Sequence, residues 1–398
     1  MNIFIVPSWY PSIKIPIAGI FFKEQASYLA EIIKDINVGV SLWGQSDPDL
    51  GITKNIPSSL RALYNFSRID KNTKITAKRP NLYEYYTPVL NWSHKLLDGN
   101  MSGIVKANLS NLQKFEQQYG KVDVIHAHVS YPAGYIAMAL SKQLGIPYVI
   151  TEHMGPFPFD TFLNEGVIHP KLAEAISEAD QVLAVSPSLS KNISKFGFKE
   201  PAFIPNVIDE DFFNVGEPVS AFPFRFFTLA NLSPEKGIDD LLAAVAIVTK
   251  QKEDVCFNIG GGGSYLDSYR AKSKKMGISR YINWLGQLSR EEAREQYQKC
   301  NAFILPSHGE TFGVVYAEAI SSGKPVIATR CGGPECIVDE KNGLLANVKD
   351  PADLAEKIIY MIENYQRFDA LEIRRQFESK FSKNVVIPKI VEVYRSIV

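Results

Sequence analysis

Cysteine is scarce in this 398-residue chain. Cys256, Cys300, Cys331 and Cys336 are too few to cross-link a protein of this size. A reducing compartment suits that number, and Cys331 and Cys336 read as ordinary thiols because no second pair completes a zinc set. Excess charge of either sign is also missing. Lysine plus arginine and aspartate plus glutamate both total 43, so no global field points to nucleic acid. No stretch approaches the roughly 20 apolar residues of a membrane-spanning helix. The start, Met1-Asn2-Ile3-Phe4-Ile5-Val6-Pro7, has no basic leader before its short apolar run and reads as a first strand, not a signal peptide. These absences lead to the expectation of a cytoplasmic protein, at most peripheral at the inner face of the cytoplasmic membrane.

What is present is a soluble-type composition, 45% hydrophobic and 22% charged, in a chain long enough for two cores. Short apolar runs alternate with helix-length amphipathic segments. The first half offers NIFIV (2–6), NVGVSLW (37–43), DVIHAH (123–128), PYVITEH (147–153) and QVLAV (181–185) as strands. The second half repeats the theme with RFFTLA (225–230), VCFNIG (255–260), YINWLG (281–286), AFILPS (302–307) and PVIAT (325–329). Strands buried on both faces and alternating with helices such as 21–35 indicate α/β architecture, two doubly wound parallel-sheet domains. Their boundary falls in 204–224, rich in Pro, Asn and acids and without a period. In such sheets ligands bind beyond the carboxyl ends of strands, and two sheets facing each other make a central cleft. Gly19, His153, Gly260 to Gly263 and Glu310 all follow strands.

The stretch HGETFGVVYAEAISSGKP (308–325) sets Glu310 and Glu318 eight residues apart around a helix start near Thr311 to Gly313. Helical rise makes that interval roughly 12 Å, the distance from a sugar ring to a ribose across a diphosphate. The helix mouth between them offers free N–H groups and a positive dipole end to the diphosphate. Acids near a helix start are common, so the spacing needs support from its neighbours. ANLSPEKGIDDLL (230–242) puts Lys236 in a turn between strand and helix, where a cation balances a diphosphate leaving group. IGGGGS (259–264) lacks both a dinucleotide fingerprint and a Walker lysine and is weak evidence for phosphate binding. IAGIFFKEQ (17–25) places Gly19 at a helix start, where backbone approaches an anion closely.

Taken together, these stretches resemble the retaining family 4 glycosyltransferases, glycosyl transferases group 1, of the GT-B fold. The most specific part is the Glu310–Glu318 pair inside LPSHGETFGVVYAEAISSGKPVIATRCGGPECI, supported by DVIHAHVSYPAGYIA (123–137), VITEHMG (149–155), VSPSLS (185–190), IPNVID (204–209) and the Lys236-Gly237 turn. The resemblance implies two Rossmann-like domains. Residues 1–208 form the acceptor side, with a C-terminal helix from about 383 to 398 packing back on it, and 209–382 hold the nucleotide-sugar. It implies that Glu310 contacts donor-sugar hydroxyls, Glu318 the ribose, and Lys236 the diphosphate. His153 lies beside the sugar and phosphate, and Gly19 lets a loop approach the diphosphate. Backbone amides of Thr311, Phe312, Gly313 and Val314 cradle phosphate, and Gly286 and Leu288 meet the base. One departure matters: many members carry arginine where this chain has Asn231, and Arg330 is the candidate to compensate.

The implied reaction moves a sugar from a UDP- or GDP-sugar to a hydroxyl of a saccharide or lipid-linked acceptor in bacterial surface-glycan synthesis, with retention and with neither cofactor nor metal. Glu310 and His153 would orient and stabilise rather than attack. Two other readings stand beside it: a relative with different chemistry, such as a nucleotide-sugar epimerase, and a non-catalytic nucleotide-sugar-binding module.

His126 and His128 face one side of a strand and, without a third ligand, read as a hydrogen-bonded pair; His128 is a candidate for the acceptor side. Asp47-Pro48-Asp49 and Asp209-Glu210-Asp211 match the DxD pattern of metal-dependent transferases but lie in loop-like sequence and read as solvated acids. Region 61–95 interleaves Arg61, Arg68, Lys71, Lys74, Lys78, Arg79 and Lys95 with Tyr64, Phe66, Tyr83, Tyr85, Tyr86 and Trp92. It fits either a face for anionic lipid or a solvated surface with some core aromatics.

Overall fold

Strand β1 (Asn2–Pro7) is buried from Ile3 to Pro7 on both faces, which is why its sequence is apolar without alternation. The structure, a computed structural model, describes residues 1–398, Leu97 by its backbone alone. Seven further strands join β1: β2 (Asn37–Leu42), β3 (Lys74–Arg79), β4 (Leu82–Tyr86), β5 (Val124–His128), β6 (Tyr148–Glu152), β7 (Gln181–Ala184) and β8 (Ala202–Phe203). Across the sheet they run β8-β7-β6-β5-β1-β2-β4-β3. All neighbours are parallel except the antiparallel edge strand β3 on β4. The order turns around at β1, so chain leaving β1 and chain leaving β5 emerge side by side in the crevice where such sheets bind ligands. Register places His126 opposite Ile5 and His128 opposite Pro7.

A second sheet contains β9 (Phe224–Leu229), β10 (Val255–Gly260), β11 (Ile282–Gly286), β12 (Ala302–Leu305), β13 (Val326–Thr329) and β14 (Gly343–Ala346). Its order is β11-β10-β9-β12-β13-β14, parallel throughout. Here the order turns around at β9, and the segments after β9 and β12 emerge together. Both sheets are therefore doubly wound, as expected from the alternation of apolar runs and helices. The chain folds into two compact units, one of Met1–Val185, Ser190–Val207 and Val386–Val398, the other of Ser186–Leu189 and Ile208–Val385. In the helix Lys383–Arg395, Val386, Ile387, Ile390, Val391 and Tyr394 are buried in the first unit's core with Ile3, Ile5, Val38 and Val124.

Segment 44–110 holds the hairpin β3–β4 and a helix, Ile56–Arg68, that turns its apolar stripe outward. Asn55 caps that helix by accepting from the Ser58 N–H at 3.1 Å, with Pro57 in the first turn. Ala62 is its buried residue, while Ile56, Leu60, Leu63 and Tyr64 are 49–70% exposed. Spacings of four, seven and eight place these four on one face. Between residues 54 and 79, Lys54, Arg61, Arg68, Lys71, Lys74, Lys78 and Arg79 are exposed and Asp70 is the sole acid.

Candidate functional site

In the second unit, the loops after β9, β10, β11 and β12 gather at the carboxyl ends of adjacent strands. After β9 the chain makes the short turn Pro234–Lys236, and Gly237 opens the helix Ile238–Val248. Gly237 has φ 67°, and a Cβ there would run into the Pro306 carbonyl just past β12. Only glycine permits that approach. Gly237→Ala is therefore expected to cost about 3 kcal/mol or more, read as a lowered chemical-denaturation midpoint for the second unit. An unchanged midpoint would contradict the packing described here.

The same approach brings Lys236 Nζ to 2.7 Å from Glu310 Oε1, and Ser307 Oγ donates to that oxygen at 2.8 Å. Glu310 lies on the loop before the helix Val314–Ser321, with Gly313 at its cap. The first N–H groups of that helix have no acceptor within it, and its positive dipole end is on the side of Glu310. Glu318 is the fifth helical residue, little more than one turn in. The interval from Glu310 is thus not one straight helical rise, because Thr311 to Gly313 are not yet helical. The Glu318 carboxylate accepts from the Tyr297 hydroxyl at 3.0 Å, which also lies 3.1 Å from the Val315 carbonyl. Burial first, and Glu318 second, push the Tyr297 phenol far above its ordinary range, so it stays a donor.

Asn231 sits against the glycine loop after β10: a Cβ on Gly263 would lie 3.0 Å from Asn231 Oδ1. Gly286 accepts from the Gly261 N–H at 2.7 Å, and Leu288 packs so closely on Gly260 that a Cβ there would lie 2.6 Å from it. Thr311 and Val314 are half-buried. Phe312 is buried against Phe381, ring centroids 5.8 Å apart, so it offers a ligand only its backbone.

Gly19, His128 and His153 belong to the first unit. Gly19, φ 61°, caps the helix Ile20–Ile32, and a Cβ there would lie 2.6 Å from the Trp9 carbonyl oxygen. His128 ends β5 and His153 follows β6, with Nδ1 of the first 3.2 Å from Nε2 of the second. Phe22 stacks on His128 at 4.5 Å and meets His153 edge-on at 4.8 Å. Dense packing pushes His153 down to about 3 and His128 well below its ordinary value, so both are neutral imidazoles at pH 7. His128 Nε2 and His153 Nδ1 are left without partners. His126 and His128 share a face, rings 4.4 Å apart, yet each bonds outside the pair. His126 lies 2.6 Å from the Tyr394 hydroxyl and 2.7 Å from Thr151 Oγ1.

The family described as Glycosyl transferases group 1 matches residues 215–382, and Glycosyltransferase Family 4 matches residues 78–212. An uncharacterised glycosyltransferase of Methanocaldococcus jannaschii is 30% identical over 286 residues, 69% of this chain and 76% of the relative. The chain belongs to the group 1 glycosyltransferases. A D-inositol 3-phosphate glycosyltransferase of Corynebacterium urealyticum is 28% identical to this glycosyltransferase over 315 residues, 71% of this chain and 74% of the relative. Among solved structures, HepE of Anabaena in complex with UDP and glucose superposes with a TM-score of 0.67 at 19% identity, covering 100% of both chains. The fold of the glycosyltransferase is GT-B.

Both DxD stretches of the glycosyltransferase need correcting, since neither is simply solvated. Asp47 caps a turn by accepting from the Asp49 N–H at 2.9 Å, and Asp49 pairs with Lys14 and, at 3.8 Å, with Arg61. Glu210 is buried and accepts from the Lys383 N–H at 3.0 Å, while Asp209 and Asp211 pair with Arg290 and Lys383. Among the described residues, no group of three His, Cys, Asp or Glu is placed to hold a metal ion. Arg330 is exposed just past β13; against the upward push of burial, the Asn347 N–H, Lys357 and lastly the Arg330 charge lower the Asp353 carboxyl.

Ser307, Tyr297 and Glu152 escaped sequence reasoning. Glu152 ends β6 fully buried and accepts from the N–H groups of Ser130, His153 and Met154 at 2.7–2.9 Å, and from the Ser130 hydroxyl. It thereby ties together the loops that carry His128 and His153. Burial raises its pKa against the pull of these bonds. An acid closing the otherwise apolar run YVITE was the available signal.

Proposed function

We propose that this glycosyltransferase moves a sugar, with retention of configuration, from a UDP- or GDP-sugar to a hydroxyl of a saccharide or lipid-linked acceptor in surface-glycan synthesis. The observation that carries the reading is the Lys236–Glu310 pair at the mouth of the helix Val314–Ser321, with Glu318 just over one turn further on. The backbone N–H groups of Thr311 to Val314 and the Lys236 ammonium receive the diphosphate. Glu310 accepts from donor-sugar hydroxyls, Glu318 from ribose hydroxyls, and Gly286 to Leu288 border the base beside Asn231. Gly19 and the neutral imidazole of His153 are proposed to meet the same donor, and His128 the acceptor. The bond from the anomeric carbon to the phosphate oxygen breaks, the acceptor oxygen bonds to that carbon on the same face, and the acceptor proton passes to the departing phosphate oxygen. The protein contributes position and charge stabilisation, not a nucleophile.

The test is a thermal-shift screen of the protein against UDP-, GDP- and ADP-sugars, then transfer with EDTA present and NMR assignment of the product anomer. One UDP- or GDP-sugar is expected to raise Tm, because it binds only the folded state. Transfer should survive EDTA and keep the donor's anomeric configuration. An inverted product would overturn retention, and donor binding without nucleotide release for any acceptor would favour a binding module.

The helix Ile56–Arg68 is proposed to rest on an anionic lipid surface, with Ile56, Leu60, Leu63 and Tyr64 at the interface and the surrounding cations over headgroups. Among the described residues no helix is long and apolar enough to cross a membrane. Co-sedimentation with phosphatidylglycerol vesicles is expected at low salt and should fall at high salt and in Leu60→Asp. No binding at either salt concentration removes this contact.

A further inference from the structure

Beyond the ends of β1 and β5, the first unit carries an open-mouthed cavity of about 280 Å³ among Trp9, Trp43, Trp92, His94, Asp98 and Tyr131. Three of the chain's four tryptophans line it. Trp43 is buried, whereas Trp9 and Trp92 keep part of their rings exposed. Tyr131 is buried and its hydroxyl has no hydrogen-bond partner. Phe162 backs this wall, with its ring 5.3 Å from Tyr131 and 5.0 Å from His94.

The backbone that delivers the polar groups is strained. Val129, β-branched and two residues before Tyr131, has φ 78°. Asp98, Gly99 and Asn100 follow one another at φ 58°, 64° and 61°. Left-handed conformations at non-glycine residues are costly and collect where a side chain must be aimed. Among the described residues lining the cavity there is no lysine or arginine. The nearby cation Lys171 is engaged by Asp98 and stands 4.6 Å over the Tyr135 ring.

We propose that this cavity holds an uncharged sugar ring of the acceptor, stacked on a tryptophan face and hydrogen-bonded through its hydroxyls to Tyr131 and Asp98, and that it rejects phosphorylated acceptors. The inference rests on the glycosyltransferase reading above and names the chemistry of its acceptor. A pyranose has an apolar C–H face that matches an indole ring and hydroxyls that satisfy an orphaned phenol and accept or donate in turn. A carboxylate takes donor hydroxyls, and because Lys171 already balances Asp98 and no lysine or arginine is among the described lining residues, a phosphate would lose water there without gaining a cation of its own. The cavity thus selects against the acceptor class named for the inositol-phosphate relative.

Tryptophan fluorescence of the full chain tests this. The probes are the methyl glycosides of glucose, galactose, mannose and N-acetylglucosamine, set against inositol 1-phosphate and glycerol 3-phosphate. At least one glycoside should perturb the emission, bind roughly three- to tenfold more weakly to Tyr131→Phe, and be lost in Trp92→Ala, while the phosphates do nothing. UDP binding, followed separately by thermal shift, should be the same in both variants. Phosphate probes binding as well as glycosides, glycoside binding unaltered in both variants, or no glycoside binding while UDP binds, each overturns the proposal. If no nucleotide and no glycoside binds, the glycosyltransferase reading falls, and this inference with it.

Discussion

Glu310→Ala is expected to abolish measurable sugar transfer, a fall in kcat/KM of about 10³-fold or more, while the protein stays folded. One Glu310 oxygen is already held by Lys236 and Ser307, at 2.7 and 2.8 Å. The carboxylate is therefore pre-oriented, and on the proposed reading a donor sugar would meet a fixed acceptor of hydrogen bonds. Folding should suffer little. Lys236 keeps some contact with water and can turn toward it, so losing its partner costs about 1–3 kcal/mol, which leaves the protein folded. Glu310→Gln retains hydrogen-bonding capacity but not the charge balance with Lys236, and should fall between the parent and the alanine variant. Circular dichroism and a thermal melt establish the fold, and steady-state kinetics read the loss. Turnover at the parent's level in Glu310→Ala would remove the residue from the site.

Lys236→Ala should lower kcat/KM by about 10²-fold or more, with weaker UDP binding accompanying the slower chemistry. The resemblance places an arginine in many members where this chain has the uncharged Asn231, so on the proposed reading more of the diphosphate's charge would fall to Lys236. The alanine variant also leaves Glu310 unbalanced near the phosphates, and that repulsion adds to the loss. If the two residues act as a unit, the double variant will be scarcely slower than the worse single one. Unchanged UDP affinity together with unchanged turnover in Lys236→Ala would show that the diphosphate lies elsewhere.

Strands buried on both faces were legible in the sequence, since β1, β5, β6, β9, β10 and β12 coincide with the apolar runs. β3 was not. All six of its residues, Lys74 to Arg79, are exposed. An edge strand guarded by cations is built to look unlike a core strand. β14, Gly-Leu-Leu-Ala, was missed too: its two large side chains are only half-buried, and a glycine and an alanine beside them do not make an apolar run. The motif residues could be named from their local context, but not their partners. Lys236 and Glu310 are 74 residues apart, and their pairing follows from β9 and β12 being neighbours, which chain order alone does not show. Tyr297 reaches Glu318 across 21 residues and Glu152 reaches Ser130 across 22, so neither partner could be read from local spacing, while Ser307 beside Glu310 looks like any loop serine. The outward stripe of the helix Ile56–Arg68 was hidden for another reason: its pattern is that of any amphipathic helix, and only the fold tells which face is buried.

The most direct measurement is a crystal structure of the protein with UDP bound. The diphosphate should lie within hydrogen-bond reach of the Thr311 to Val314 N–H groups and of Lys236 Nζ, with ribose hydroxyls on the Glu318 carboxylate. A nucleotide found away from the helix Val314–Ser321, or Glu318 still turned to Tyr297 with no ribose contact, would contradict it.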